Sequence, residues 1–283
     1  MLALTAPASS HAESAVWRVS SGESVTYLAG TVHKLPPDQY PLPEEYRAAY
    51  DRSDSLVFET DIAAMQQPAV QARIAELSAL PAGMTLKLVL DDPAYEALVA
   101  YSEEIGFPIQ LLEPLEPVPA MLTLLSITIQ ALGLTGQGVD EYFYARAQLD
   151  SKPVDGLETP EQQIDILLSM DQDDPSHFVQ RSIEDLREAR RGGLETGLRV
   201  WRDGDEAALV EHFLRAQILY SPGLYRSLVV ERNLEWMLVL RGYLETPETE
   251  LVLVGVAHLV GEDGLVALLR NEGYEVEKFV PDR

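Results

Sequence analysis

The sequence predicts an α/β fold with a central, mainly parallel sheet flanked by helices. Three observations predict it. Short apolar, β-favouring runs recur at Val25–Gly30, Ser55–Glu59, Pro153–Leu157 and Leu251–Gly255. Such runs, bounded by turn residues, read as strands buried on both faces, as in parallel sheets. The stretches between them carry helical periodicity. The first and last runs both stop at Gly-x-x-His, with Gly30 and His33 closing one and Gly255 and His258 the other.

Composition narrows the function. The 283 residues suffice for one large α/β domain or two small ones. We read 15–283 as a single domain and 1–14 as a signal-peptide remnant or tail, because Ser10-His11-Ala12 fits a small-x-small cleavage site after an apolar stretch. That reading places the protein in the periplasm or outside the cell. Forty-six acidic residues against 21 basic ones give a net charge of -25, which argues against nucleic acid and anionic membrane surfaces as partners. The absence of cysteine excludes disulfides, thiolate metal sites and Cys nucleophiles. The longest apolar stretch, Ala120–Leu134, is too short and too polar to span a bilayer.

In chain order, Trp17–Ser20 and Val25–Ala29 flank a turn and form a hairpin leading to His33. Prolines at 36, 37, 41 and 43 make a stiff loop beside that His. Glu44–Asp51 is a short helix, and the strand Ser55–Glu59 ends at a carboxylate. A helical insertion at about 62–135 follows and is expected to cover the sheet edge, with Pro114, Pro117 and Pro119 interrupting the chain before an apolar helix Met121–Leu132. Asp140 is expected to cap the helix Glu141–Leu149. The strand Pro153–Leu157 delivers Glu158, and Thr159-Pro160-Glu161-Gln162 is a capping box. Gly193-Leu194-Glu195-Thr196 repeats the tetrapeptide around Glu158 but follows a charged helix, so Glu195 is expected in a solvated loop. Leu224–Arg241 is a long helix carrying Arg232-Asn233. A strand ending near His258, a helix Gly264–Asn271 and an edge strand within Tyr274–Val280 complete the chain.

In open α/β sheets, ligands collect outside the carboxyl ends of the strands. His33, Glu59, Glu158 and His258 all close strand-like runs and would share that rim. Imidazole and carboxylate donors suit manganese, cobalt or zinc, and a catalytic metal activates water. One carboxylate would serve as general base, and Arg232 would stabilise developing negative charge. The sequence leaves open which of Glu59 and Glu158 is ligand and which is base. His177 and His212 lack a strand context and read as ordinary helix or surface residues. No Gly-x-Ser-x-Gly, Gly-rich phosphate loop or His-Glu-x-x-His is present.

At these residues the sequence resembles the TraB/PrgY/GumN family, which includes the Tiki metalloproteases, and is most similar to its GumN-like branch. Gly30-Thr31-Val32-His33, Phe58-Glu59-Thr60-Asp61, Gly138-Val139-Asp140, Lys152-Pro153-Val154-Asp155-Gly156-Leu157-Glu158-Thr159, Trp201-Arg202-Asp203-Gly204-Asp205, Arg232-Asn233 and Gly255-Val256-Ala257-His258 carry the resemblance in this order. It implies a core of two pseudo-symmetric halves, related to erythromycin esterases and haem-binding lipoproteins. It implies metal-dependent hydrolysis of polypeptide or peptide-like substrates, with His33, His258, Glu59 and Glu158 at the metal and Arg232 beside them. The family's Lys-Pro-Trp before the middle helix reads Glu116-Pro117-Val118 here, a departure that bears on substrate-lid contacts. The alternative is an extracytoplasmic protein that binds metal, haem or peptide in the same cleft without turnover.

Overall fold

The computed structural model describes residues 14–172 and 174–282. All but the last residue of the expected signal remnant lies outside the described residues. The chain opens on the antiparallel hairpin β1 (Val16–Ser21) and β2 (Ser24–Thr31), with Gly22 at φ +62° in the turn. Helix α1 (Glu44–Arg52) leads to β3 (Ser55–Thr60). The insertion contributes α2 (Pro68–Leu77), α3 (Asp92–Glu104) and α4 (Pro117–Ala131). Then come α5 (Val139–Asp150), β4 (Val154–Glu158), α6 (Pro160–Leu168), α7 (Pro175–Glu188) and α8 (Leu194–Asp203). Short helical pieces lead to α9 (Arg232–Tyr243), and β5 (Glu250–Gly255), α10 (Leu265–Asn271) and β6 (Glu275–Lys278) close the chain.

Among the described residues the sheet has six strands in the order β4-β3-β5-β2-β1-β6. The four neighbours β4, β3, β5 and β2 pair in parallel, and β1 is antiparallel to both β2 and β6. The expected mixed α/β class with a mostly parallel sheet is therefore present. Parallel strands need helices on both faces, which is why Leu251–Val254 of β5 is apolar at every position and buried throughout. The buried indoles each find an acceptor: Trp17 donates to Glu206 at 3.0 Å, Trp201 to the Gly30 carbonyl at 2.8 Å and Trp236 to Glu158 at 3.1 Å.

Two expectations need correction, and the insertion has an apolar cluster of its own. Leu98, Tyr101 and Leu124 pack with Phe178, Val179 and Ile183 of α7 in a second apolar cluster. Pro117 and Pro119 do not precede the apolar helix but lie in its first turn, where a backbone N–H has no intrahelical acceptor to lose. Glu195 stands in the first turn of α8, not in a loop, because the chain kinks at Gly192 (φ +108°) and turns helical again from Leu194.

Candidate functional site

The four parallel strands set the site. Glu158 is the last residue of β4, and Glu59 the next to last of β3. His258 ends the 3₁₀ turn Val256–His258 directly after β5, and His33 follows β2 by two residues. Four adjacent strands thus deliver four candidate side chains to one edge of the sheet. Gly30 permits the close approach of β2 to the turn beyond β5, since a Cβ there would lie 2.8 Å from Cγ2 of Val256.

Arg232 ties the edge together. It is buried, although an Arg on a long helix is ordinarily a surface residue. Its Nε and Nη2 donate to the two oxygens of Glu158 at 3.0 and 2.6 Å, a bidentate fork. Nη2 also donates to Glu59 Oε2 at 2.7 Å, and Nη1 lies 3.0 Å from Nε2 of His258. The guanidinium stacks 4.5 Å from the Trp236 ring centroid, one turn further along α9. Burial works against the Arg232 charge, but Glu59 and Glu158 outweigh it and raise the pKa.

The two carboxylates differ. Glu158 accepts the Arg232 fork and the Trp236 N–H, so both its oxygens are engaged. Glu59 accepts from Arg232 and, through Oε1, from the Gly255 N–H at 2.7 Å. Burial pushes the Glu59 carboxyl up, but His258, Arg232, His33 and the Gly255 N–H hold it down at about 2. A carboxylate held that low is a permanent anion and a weak base.

The two histidines differ as well. His258 is buried, and burial, with Arg232 beside it, lowers its pKa to about 4. It is therefore neutral near pH 7. Its Nδ1 lies 2.8 Å from Oδ1 of Asn233, an acceptor, so Nδ1 carries the proton and Nε2 accepts from Arg232. Asn233 Nδ2 donates to the carbonyls of His258 and Asp263, which fixes the amide's orientation. His33 is exposed, and its Nδ1 lies 3.1 Å from Asp140 Oδ2. That contact raises its pKa, and Nε2 is the nitrogen left for a ligand.

The sequence reading gave Asp140 a different role. Gly138 holds the cap position of α5, with Glu141 reaching back to its N–H at 3.4 Å, which frees Asp140 for His33. A Cβ at Gly138 would lie 2.3 Å from the His33 carbonyl oxygen, so only glycine allows this approach. Asn233 and Trp236 were not singled out for a role at the site. Their spacing from Arg232 on one helix was legible, but nothing in the sequence said that this face is buried. Glu195 is exposed and takes no part, and His177 and His212 lie outside the cluster, His212 packing against Gly197.

The donor types suit a divalent cation, but their lone pairs are largely in use. Among the described residues no group of three or more His, Asp or Glu side chains is arranged to hold a metal ion. Arg232 stands where such a cation would neutralise Glu59 and meet His258. His33, Glu59 and His258 fit a metal only with Arg232 withdrawn from His258, while Glu158 remains committed to Arg232.

A family model for TraB/PrgY/gumN matches residues 15–278. The chain belongs to that family. This family member is similar to the uncharacterized protein YbaP of Shigella flexneri, at 26% identity over 252 residues, which covers 88% of this chain and 89% of the relative. It is equally similar to the uncharacterized protein YbaP of Escherichia coli K12, at 26% over 247 residues, 86% and 87% of the two chains. No solved structure matches. The family segments around His33, Glu59, Glu158, Arg232 and His258 coincide with the strand ends and the buried helix face described above.

Proposed function

We propose that this TraB/PrgY/gumN protein is a metal-dependent hydrolase of polypeptides, with His33, Glu59 and His258 as the residues that hold a divalent cation. The observation that carries the reading is that Glu59 and His258 meet one guanidinium, at 2.7 and 3.0 Å, at the ends of adjacent strands, with His33 closing the next strand. Manganese, cobalt or zinc bound there would supply Lewis acidity. The chain's own residues supply the rest. Asn233 keeps His258 in the tautomer whose Nε2 is a lone-pair donor. Asp140 accepts from His33 Nδ1 at 3.1 Å, which orients the ring and leaves Nε2 as the lone-pair donor at the open side of the site. Arg232, still paired with Glu158 when it withdraws from His258, would bring a positive charge beside the place where an oxyanion would develop. The reading includes an erythromycin-esterase-like core of two pseudo-symmetric halves, in which His33 after β2 and His258 after β5 would be counterparts. The stretch around Ser10–Ala12 supports action outside the cytoplasm. No helix among the described residues is long and apolar enough to cross a membrane.

The test is to measure metal stoichiometry and peptide cleavage side by side. His33→Ala and His258→Ala should lower both together. Glu59→Gln should also lower both if Glu59 is a ligand, and should keep the metal while losing about two to four orders of magnitude in rate if it is the base. Full activity of chelator-treated protein would remove the metal from the reading. Metal binding without cleavage of any peptide library would leave a binding protein.

A further inference from the structure

Beside the Arg232 helix lies a cavity of about 460 Å³, within the range of ligand pockets, about 300–1,000 Å³. Met121, Leu125, Met170, Phe178, Leu186 and Leu228 give it an apolar lining, and Asp174 and Asp185 stand among its polar residues. Phe178 and Leu186 belong to the insertion's cluster, whereas Leu228 packs against the sheet's core. The cavity therefore opens at the seam between the two cores, where flexible methionines can repack around different side chains.

Two elements run from the catalytic edge to this cavity. Helix α6 starts immediately after Glu158 and ends two residues before Met170. The π-helical stretch Arg226–Glu231 leads from Leu224 to Arg232, and the Leu228 carbonyl accepts from Arg232 Nη1 at 3.4 Å. α6 and this stretch pack against each other. Glu158 and Arg232, at one end, are hydrogen bonded, and the cavity lies at the other end. From Arg232 back to Leu228 and Leu224 the helix rises about 6–12 Å. An extended peptide covers that span in about two to four residues at roughly 3.3 Å each. A second cavity, of about 420 Å³, meets the first across Ala189 and is walled by Pro36, Asp38 and Gln39, just beyond His33. The two cavities share Ala189, one reaching the loop after His33 and the other the helix before Arg232.

We propose that the larger cavity is the subsite for a large apolar side chain of a polypeptide ligand, two to four residues from the group held at Glu59, His258 and Arg232. The ligand is neutral or basic on either side of that residue, because the chain carries -25 net charge, while in the lining itself Asp185 is already paired with Arg181 at 2.7 Å. The inference rests on the reading that this centre is where the ligand is held.

The probe is a fluorescein-labelled heptapeptide of Gly, Ser and two Lys with Phe at its centre, compared with the same peptide carrying Ala. Binding to the full chain is read by fluorescence anisotropy without added metal. The Phe peptide should bind at least about tenfold more tightly, as burying a large apolar side chain allows. Replacing the two Lys by Glu should weaken binding, more so at low salt. Ala216→Trp, at an exposed position lining the cavity, should remove the advantage of Phe, and Leu125→Asp should do the same. Leu238→Asp, 67% exposed and outside the cavity, should change nothing. Far-UV circular dichroism confirms that each variant is folded. Equal binding of the Phe and Ala peptides, or an undiminished Phe advantage in both cavity variants, overturns the proposal. Apolar selectivity with no metal uptake or cleavage would sink the hydrolase reading and leave this subsite standing. Cleavage with no preference for an apolar residue two to four positions from the broken bond would do the reverse.

Discussion

Arg232 and Glu158 form a buried bidentate ion pair, with Nε and Nη2 at 3.0 and 2.6 Å from the two carboxylate oxygens. The pair joins the end of β4 to the start of α9 and holds the guanidinium between Glu59 and His258. Neither partner is open to water, with side chains 9% and 3% exposed, so solvent cannot replace a lost partner.

Glu158→Ala is therefore expected to cost about 3 kcal/mol, because it removes both hydrogen bonds of the fork and leaves the buried guanidinium only the Glu59 carboxylate. The neighbouring Thr159→Ala removes a cap whose hydroxyl accepts from Gln162 N at 3.2 Å, and should cost only about 1 kcal/mol. Urea unfolding of the two variants checks this. Equal losses would show that the ion pair adds nothing beyond the cap.

Asn233→Ala leaves His258 without the acceptor that sets its tautomer. Metal affinity and turnover should each fall about 10–100-fold, as on loss of an orienting partner. Titration with a competing chelator and initial rates measure the two. A variant with both unchanged would mean that Trp236 and Arg232 alone orient the ring.

Gly138→Ala should destabilise by about 1–3 kcal/mol, since the new methyl meets the His33 carbonyl. Gly242→Ala, on α9 with open space around it, should stabilise by about 0.4–1 kcal/mol. Opposite signs in chemical denaturation are the expected result. A tolerated Gly138→Ala would refute the close approach.

Glu250 opens β5 and is buried, its Oε2 accepting from the Thr26 hydroxyl at 3.2 Å. Burial raises its pKa from 4.5, with the Glu248 and Asp54 charges adding to the shift and Thr26 opposing it. The folded state then holds this proton more tightly than the unfolded one. The resulting stability is complete below pH 4.5 and is lost as pH rises through the folded pKa. Glu250→Gln should therefore unfold at higher temperature than wild type at pH 7, and the difference should shrink toward pH 4. Thermal melts across that range test the sign, and a constant difference would rule the linkage out.

The sequence by itself determined the fold class, the strands, the capping box at Thr159 and the four strand-end candidates. These are local: β-favouring apolar runs, turn residues and caps act within a few positions. It also set Glu158 apart from Glu195, because only the first follows a strand. The sequence did not determine where the insertion packs, that Pro117 and Pro119 begin α4, or that Asp140 serves His33 rather than a helix cap. Nor did it show that Arg232 is buried against Glu158, or that Asn233 and Trp236 flank His258. Those outcomes depend on which helix face meets which strand end, and residues 74 positions apart, such as Glu158 and Arg232, become neighbours only when the sheet closes. A charged side chain carries no local mark of burial. Its partners across the fold decide whether it points to solvent or holds a site together.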